Sequence, residues 1–393
     1  MATGNDEVRR VFVAATRQNQ GKTSVCLGLM AAFRRRFPKL GFIKPVGQRY
    51  VVVDGHQVDE DSVLIERVCH VECALSDMSP VAVERGFTER YLRQPNPQAL
   101  MQRIQDSFPR VCHGVDLVVI EGTGHAGVGS VFDLSNATVA RLLGAKAIMV
   151  SGGGIGQPTD EVMLNKAMLD LEGVELLGVI VNKVVQSKYA KVNELVRAAM
   201  ERLGVRVFGV IPYVAMLSNP TVGLILEETD AKLLSGEPEP DNEVTRVVVG
   251  AMPPHVALDY FTEGTLVITP GSREDIILAA ISSSLASESQ GGVVGIMLTG
   301  PDPPHRSVMS LIGRVNIPVM WLAEDTYTAT SRIHDLMVKI RPGDEKKVRM
   351  LNRLVEKYVD VDALIEAIED DNATRRGPSS RRGNQIQIGV RGH

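Results

Sequence analysis

The sequence predicts an α/β protein: a doubly wound, mostly parallel sheet followed by a second, smaller α/β domain. Three observations lead there. From Val11 to about Tyr213, short β-branched runs alternate with longer helical patterns, the signature of consecutive βαβ units. Several of those runs are apolar on both faces, as strands covered by helices on both sides must be. A helical stretch and the polar segment Ser235-Gly236-Glu237-Pro238-Glu239-Pro240-Asp241 then lead into a second βα alternation.

In the first domain, strands are expected at Val11 to Ala15, Leu40 to Lys44, Leu117 to Glu121, Ala147 to Ser151, Leu177 to Asn182 and Val207 to Ile211. Helices such as Thr23 to Arg36, read as amphipathic, and Asp160 to Leu171 supply the cover. After Ser218-Asn219-Pro220 a helix is expected near Val222 to Leu234, so the first boundary falls at about residue 215. The second domain, residues 216–342, carries strands at Val244 to Met252, Leu266 to Thr269, Val293 to Thr299 and Pro318 to Ala323, with a helix at Glu274 to Leu285. Residues 343–371 read as a charged helical extension. Residues 372–393 hold five arginines and no acidic residue, the composition of a disordered tail.

A chain of 393 residues is long enough for two domains that each bury a core. Its 43 basic and 47 acidic residues leave a formal charge of −4, which gives no electrostatic footprint for nucleic acid or an anionic membrane. The four cysteines, Cys26, Cys69, Cys73 and Cys112, follow no metal-ligand or disulfide spacing. Met1 to Arg10 lacks the apolar core of a signal peptide and no apolar run reaches membrane-spanning length, so a cytoplasmic address is expected.

Chemistry concentrates where strands end. Val11 to Ala15 runs into Thr16-Arg17-Gln18-Asn19-Gln20-Gly21-Lys22-Thr23-Ser24, and a helix follows at once. In that setting backbone N–H groups and the helix N-terminus attract phosphate oxygens, Lys22 supplies positive charge, and Thr23 can place its hydroxyl on Mg²⁺. Thr16 stands where a standard phosphate loop has glycine, which leaves Gly21 to make the tight turn. Glu121 closes an apolar strand beside the glycine-rich Gly122-Thr123-Gly124, at the sheet edge where open α/β folds bind ligands. A charge there is costly unless used, and Mg²⁺ on a nucleotide takes one or two carboxylates; Glu121 and Asp61, from the run Asp59-Glu60-Asp61, are the candidates. Lys44, ahead of Pro45, is either a second ammonium in the same cleft or a surface lysine.

Together these segments resemble dethiobiotin synthetase and, more closely, the dethiobiotin-synthetase-like N-terminal half of long bacterial phosphate acetyltransferases. The matching residues are Gly21-Lys22-Thr23, Lys44-Pro45-Val46, Asp61 with Ser62, Glu121-Gly122, Asn182-Lys183 and Ile211-Pro212-Tyr213. The resemblance implies ATP and Mg²⁺ as ligands. Thr16, Asn19, Gln20, Gly21, Lys22, Thr23 and Ser24 would cradle phosphate, Lys22 and Lys44 would serve catalysis, and Thr23, Asp61 and Glu121 would hold the metal. Asn182 and Pro212 would lie at the adenine. Val249-Gly250-Ala251-Met252, Val267 to Asp275, Leu298-Thr299-Gly300 and Asp325-Thr326-Tyr327 look like the DRTGG domain of the same acetyltransferases, which implies a regulatory module or, alternatively, a purely structural dimerising one; a homo-oligomer is expected. No stretch past residue 340 resembles their catalytic domain, so acetyl transfer to phosphate is not expected. The reading is a nucleotide sensor or regulatory ATPase. The alternative is an ATP-dependent ligase or cyclising enzyme of the dethiobiotin synthetase or cobyrinic acid diamide synthase type, acting on a small carboxylate.

Overall fold

A computed structural model describes residues 8–239, 242–286, 292–336 and 338–370. The chain divides into two units, one made of the chain up to Tyr213 together with the chain from Val348 onward, the other of Val214–Lys347. The tail expected to be disordered, residues 372–393, lies outside the described residues.

The first unit begins with β1 (Arg9–Ala15), α1 (Lys22–Phe33), β2 (Leu40–Ile43), β3 (Val46–Gly47), β4 (Tyr50–Val53) and β5 (His56–Asp59). It continues with α2 (Glu60–Cys69), α3 (Leu75–Met78), β6 (Val81–Ala82), α4 (Phe87–Arg93) and α5 (Pro97–Cys112). Then come β7 (Leu117–Glu121), α6 (Asn136–Leu142), β8 (Lys146–Ser151), α7 (Gly156–Leu171), β9 (Leu176–Val184), α8 (Tyr189–Arg202) and β10 (Val207–Pro212). Six strands form one parallel sheet in the order β10-β9-β8-β1-β7-β2. From β1 the chain goes to the edge strand β2, returns to β7, and then crosses β1 to run outward through β8, β9 and β10; this reversal of direction places helices on both faces and confirms the doubly wound class. β7 and β8, flanking β1, are almost entirely buried Val, Ile, Leu, Ala and Met, the composition of a strand with no solvent face.

The second unit holds α9 (Val222–Thr229), β11 (Lys232–Ser235), β12 (Arg246–Val249), α10 (Pro254–Ala257), β13 (Thr265–Pro270) and α11 (Glu274–Ala286). It goes on through β14 (Val293–Thr299), α12 (Arg306–Ile312), β15 (Val319–Leu322) and α13 (Thr326–His334). Its sheet order is β11-β15-β14-β13-β12, parallel except for β11.

The helix expected at Val222 to Leu234 stops early. Asp230 adopts the left-handed conformation (φ 56°), which ends α9, and Lys232–Ser235 pairs antiparallel with β15 and becomes the edge of the sheet. Backbone pairing on an open sheet edge outweighs helix propensity there. The helical extension is two helices, α14 (Glu345–Tyr358) and α15 (Val361–Glu369). From Val348 they belong to the first unit, so the second unit is an insertion between β10 and the body of α14. Eight residues of α1 are buried, on all sides, so α1 is a core helix and not the amphipathic one expected. α14 packs against it at Gly28. Among the described residues no helix is long and apolar enough to cross a membrane.

Candidate nucleotide-binding site

β1 carries the chain to the carboxyl edge of the sheet and hands it to α1 through a six-residue turn. Asn19 (φ 64°) and Gly21 (φ 80°) both take left-handed backbone, and Gly21 is the N-cap of α1 without any capping side chain. Only glycine fits at position 21: besides its φ, a Cβ there would lie 2.6 Å from Asn182 Nδ2. The uncapped N-terminus leaves its first N–H groups for a ligand. Thr16 is 3% exposed and its N–H donates to Val150 O, so it extends β1 beneath the turn. Its hydroxyl is buried with no partner among the described residues.

The turn is tied down from β9. Asn182 Nδ2 donates to Gln20 O at 2.9 Å and Lys183 Nζ to Asn19 O at 2.7 Å, while burial pulls the Lys183 pKa below the usual lysine value. Gln20 in turn lies against Gly152, just past β8, and Gly153 lies against Lys183 O, so side chains at either position would collide with the turn's supports. Pro212 closes β10 opposite Val184, beside Asn182. This gathers the residues expected to cradle phosphate and those expected near the base onto the ends of β1, β9 and β10. Sequence reasoning missed the Gly152-Gly153 contacts; the signal was the run Gly152-Gly153-Gly154 directly after a strand.

The charged cluster sits under the start of α1. Glu121, at the end of β7, is 0% exposed. Its Oε1 accepts from Thr23 Oγ1 at 2.8 Å and lies 3.3 Å from Lys22 Nζ and 3.6 Å from Lys44 Nζ. Its Oε2 is buried with no partner among the described residues. Lys44, 6% exposed, is no surface lysine: its ammonium pairs with Asp59 Oδ1 at 3.0 Å and with Asp61 Oδ2. Burial by itself would lower the Lys44 pKa, but Asp61, Glu121 and Asp59 outweigh it and hold it well above the usual lysine value. Asp59 also caps α2, accepting the Asp61 N–H at 3.0 Å, and burial pushes its carboxyl above the usual aspartate value against the pull of Lys44. The Cys26 thiol shares this pocket of charge, raised well above its ordinary value by burial and by Glu121.

Three buried carboxylates against two ammoniums leave one surplus negative charge when all are ionised. The orphaned Glu121 Oε2 beside the Thr23 hydroxyl fits a divalent cation that also takes oxygens from a phosphate. Among the described residues no cluster of three or more His, Cys, Asp and Glu could hold a metal alone, so phosphate oxygens or water must complete any such shell. Asp61, expected as a metal ligand, is engaged by Lys44. Ser24 follows Thr23 in the first turn of α1, half-buried.

A left-handed glycine turn between a buried strand and a helix N-terminus, with a lysine, a threonine and a strand-end carboxylate converging beneath it, defines a P-loop nucleotide-binding protein of the α/β class. Its family is also shown by sequence. The chain belongs to the AAA-domain family, whose model matches residues 9–221, and residues 224–336 match the DRTGG domain. It is similar to phosphate acetyltransferase of Nitratidesulfovibrio vulgaris, 25% identical over 387 residues, covering 96% of this chain and 54% of that one. The phosphate acetyltransferase of Pseudomonas putida is 26% identical over 395 residues, again 96% of this chain and 54% of the relative. The chain thus spans about half the length of the curated relatives it matches. Among solved structures it is similar to the Pyrococcus furiosus cell division ATPase MinD, at 19% identity, 53% of this chain, 85% of that chain and a TM-score of 0.34. The CBS and DRTGG domains of Clostridium perfringens pyrophosphatase, solved with the activator diadenosine tetraphosphate, match at 22% identity, 35% of this chain, 60% of that chain and a TM-score of 0.25.

Proposed function

We propose that the first unit binds Mg-ATP and that the bound state is used as a signal, making the chain a nucleotide sensor or regulatory ATPase. The observation that carries this is the buried cluster of Lys22, Thr23, Lys44 and Glu121 under an uncapped helix N-terminus, with one Glu121 oxygen left without a partner. Lys22 and the N–H groups of the turn bind phosphate, and Thr23 and Glu121 hold Mg²⁺, which neutralises phosphate charge and screens the surplus carboxylate. Asn182 and Pro212 flank the base. Lys44 positions Asp61 and Glu121 through ion pairs, and Asp61 joins the metal shell through water. Transfer of an acetyl group to phosphate consumes no nucleoside triphosphate. A nucleotide unit shared with proteins named for that reaction therefore acts on it as a regulator and not as a reactant.

A specific observation favours a second reading, an ATP-dependent ligase acting on a small carboxylate. The first unit holds an open cavity of about 760 Å³ whose lining includes Ser79, Arg90, Tyr91 and Arg103, and Ser79 Oγ accepts the Asp59 N–H at 2.9 Å. One side chain thus separates a ligand-sized space from the ion pair that holds Lys44. Calorimetric titration of ATP and GTP, with and without Mg²⁺, on wild type and Lys22→Ala decides the main proposal. Mg²⁺-dependent ATP binding that weakens by about 2–5 kcal/mol in the variant supports it, and a wild type that takes up no nucleotide ends it. Steady ADP release stimulated by one member of a carboxylate panel moves the assignment to the ligase.

A further inference from the structure

The segment formed by α14, α15 and the residues between them touches two elements that carry the nucleotide site, α1 and β10. On the phosphate side, Val355 (1% exposed) seats on Gly28 of α1, where a Cβ would collide with its Cγ2 and lie 3.2 Å from Leu351 O. Gly28 is six residues past Lys22, about 9 Å along the same helix. On the base side, Val359 forms an antiparallel bridge with Gly209 of β10, and the Asp360 N–H donates to Phe208 O at 2.8 Å. A Cβ on Gly209 would lie 2.7 Å from Tyr358 O and 2.8 Å from Val359 Cγ2. Gly209 is three residues before Pro212. Just past the end of α1, ion pairs join Arg35 to Glu356 and Arg36 to Glu369 (3.0 Å). The two glycines admit this close approach, and it makes α1 a helix buried on all sides.

The chain order gives the contact its meaning. The second unit leaves the first after β10 and returns as α14, one unbroken helix whose first residues fall in the second unit and whose remainder falls in the first. One covalent end of the second unit therefore attaches to β10, which carries Pro212, and the other to α14, which packs on α1.

Resting on the nucleotide reading above, we propose that Val355 and Val359 are positioning residues of the nucleotide site. They fix α1 against β10, and hence the phosphate turn against the base edge. Packed interfaces of this kind move between discrete seatings and do not deform smoothly, so a shift of α1 on phosphate binding is met by a reseating of α14. By linkage, whatever nucleotide adds to the docking of α14 and α15, that docking returns to nucleotide affinity.

The test uses the full chain. Backbone amide exchange of residues 349–369 is followed with and without Mg-ATP, alongside calorimetry. In wild type, nucleotide slows that exchange several-fold. Gly28→Ala pushes Val355 off its seat, raises the nucleotide Kd by about tenfold, within the usual range of such coupling, and abolishes the added protection. Gly28→Ala/Val355→Ala restores space and brings both readouts back toward wild type. A merely structural role would move thermal stability in these variants but leave the nucleotide-dependent protection of residues 349–369 as it is in wild type. The wild-type comparison needs no variant to fold. Nucleotide that binds and slows exchange around residues 16–24 while leaving 349–369 unchanged overturns the inference, as does a folded Gly28→Ala with wild-type affinity. A wild type that binds no nucleotide at all fails at the earlier reading instead.

Discussion

Replacing Lys44 with methionine tests the charge cluster most directly, because the substitution keeps the length of the side chain and deletes only the ammonium. Asp59 and Asp61 are 1% and 6% exposed and both face that ammonium, and Glu121 lies 3.6 Å from it. Without it, three buried carboxylates share one remaining cation, Lys22. Removing one partner of a buried ion pair costs about 3–5 kcal/mol, which for a unit of this size lowers Tm by about 6–20 °C. The loss depends on pH with a definite sign. Burial already holds the Asp59 pKa above its unfolded value with Lys44 present, and losing Lys44 removes the charge that pulls it down, so it rises further. A folded-state pKa above the unfolded one means that the native state gains stability as pH falls through the folded value and loses it as pH rises. The penalty of Lys44→Met is therefore largest at the alkaline end of a series from pH 8 to pH 5 and shrinks toward the acid end, as Asp59 takes up a proton. Paired thermal unfolding of wild type and variant across that range measures it. A penalty under about 1 kcal/mol at pH 8, the size of an exposed pair, or one that does not change with pH, would show that the ammonium is not holding the carboxylates.

Gly21→Ala puts a side chain at φ 80° and against Asn182, so it should cost about 1–2 kcal/mol from the left-handed backbone alone; a chemical denaturation curve and an ATP titration read both effects. Asn182→Ala removes the hydrogen bond to Gln20 O, worth about 1 kcal/mol, and should bring the ATP and GTP affinities closer together in competition calorimetry. Glu121→Gln leaves the site's shape but removes the charge beside Thr23, so excess EDTA should weaken ATP binding strongly in wild type and by much less in this variant. Retained EDTA sensitivity would assign the metal to other ligands.

The fold class was legible because parallel strands buried on both faces write themselves as unbroken apolar runs, and β7 and β8 are such runs. The meeting of Lys22, Thr23 and Glu121 was equally open to reading: in a doubly wound sheet the ends of β1 and β7 share one edge, so residues 98 positions apart must come together. Lys44 was ambiguous, since a lysine at a strand end looks the same whether solvated or paired. Its state was decided by Asp59 and Asp61 at the start of α2.

The sequence by itself determined the strands of the two main sheets apart from β11, and which edge of the first sheet holds the chemistry, because both follow from local periodicity and strand polarity. Only the tertiary structure decided that Lys232–Ser235 is a strand, that Gly152 and Gly153 support the phosphate turn, and that α14 and α15 return to cover α1. Each depends on a partner distant in the chain, and backbone pairing and close packing leave no period in the sequence of one partner that names the other.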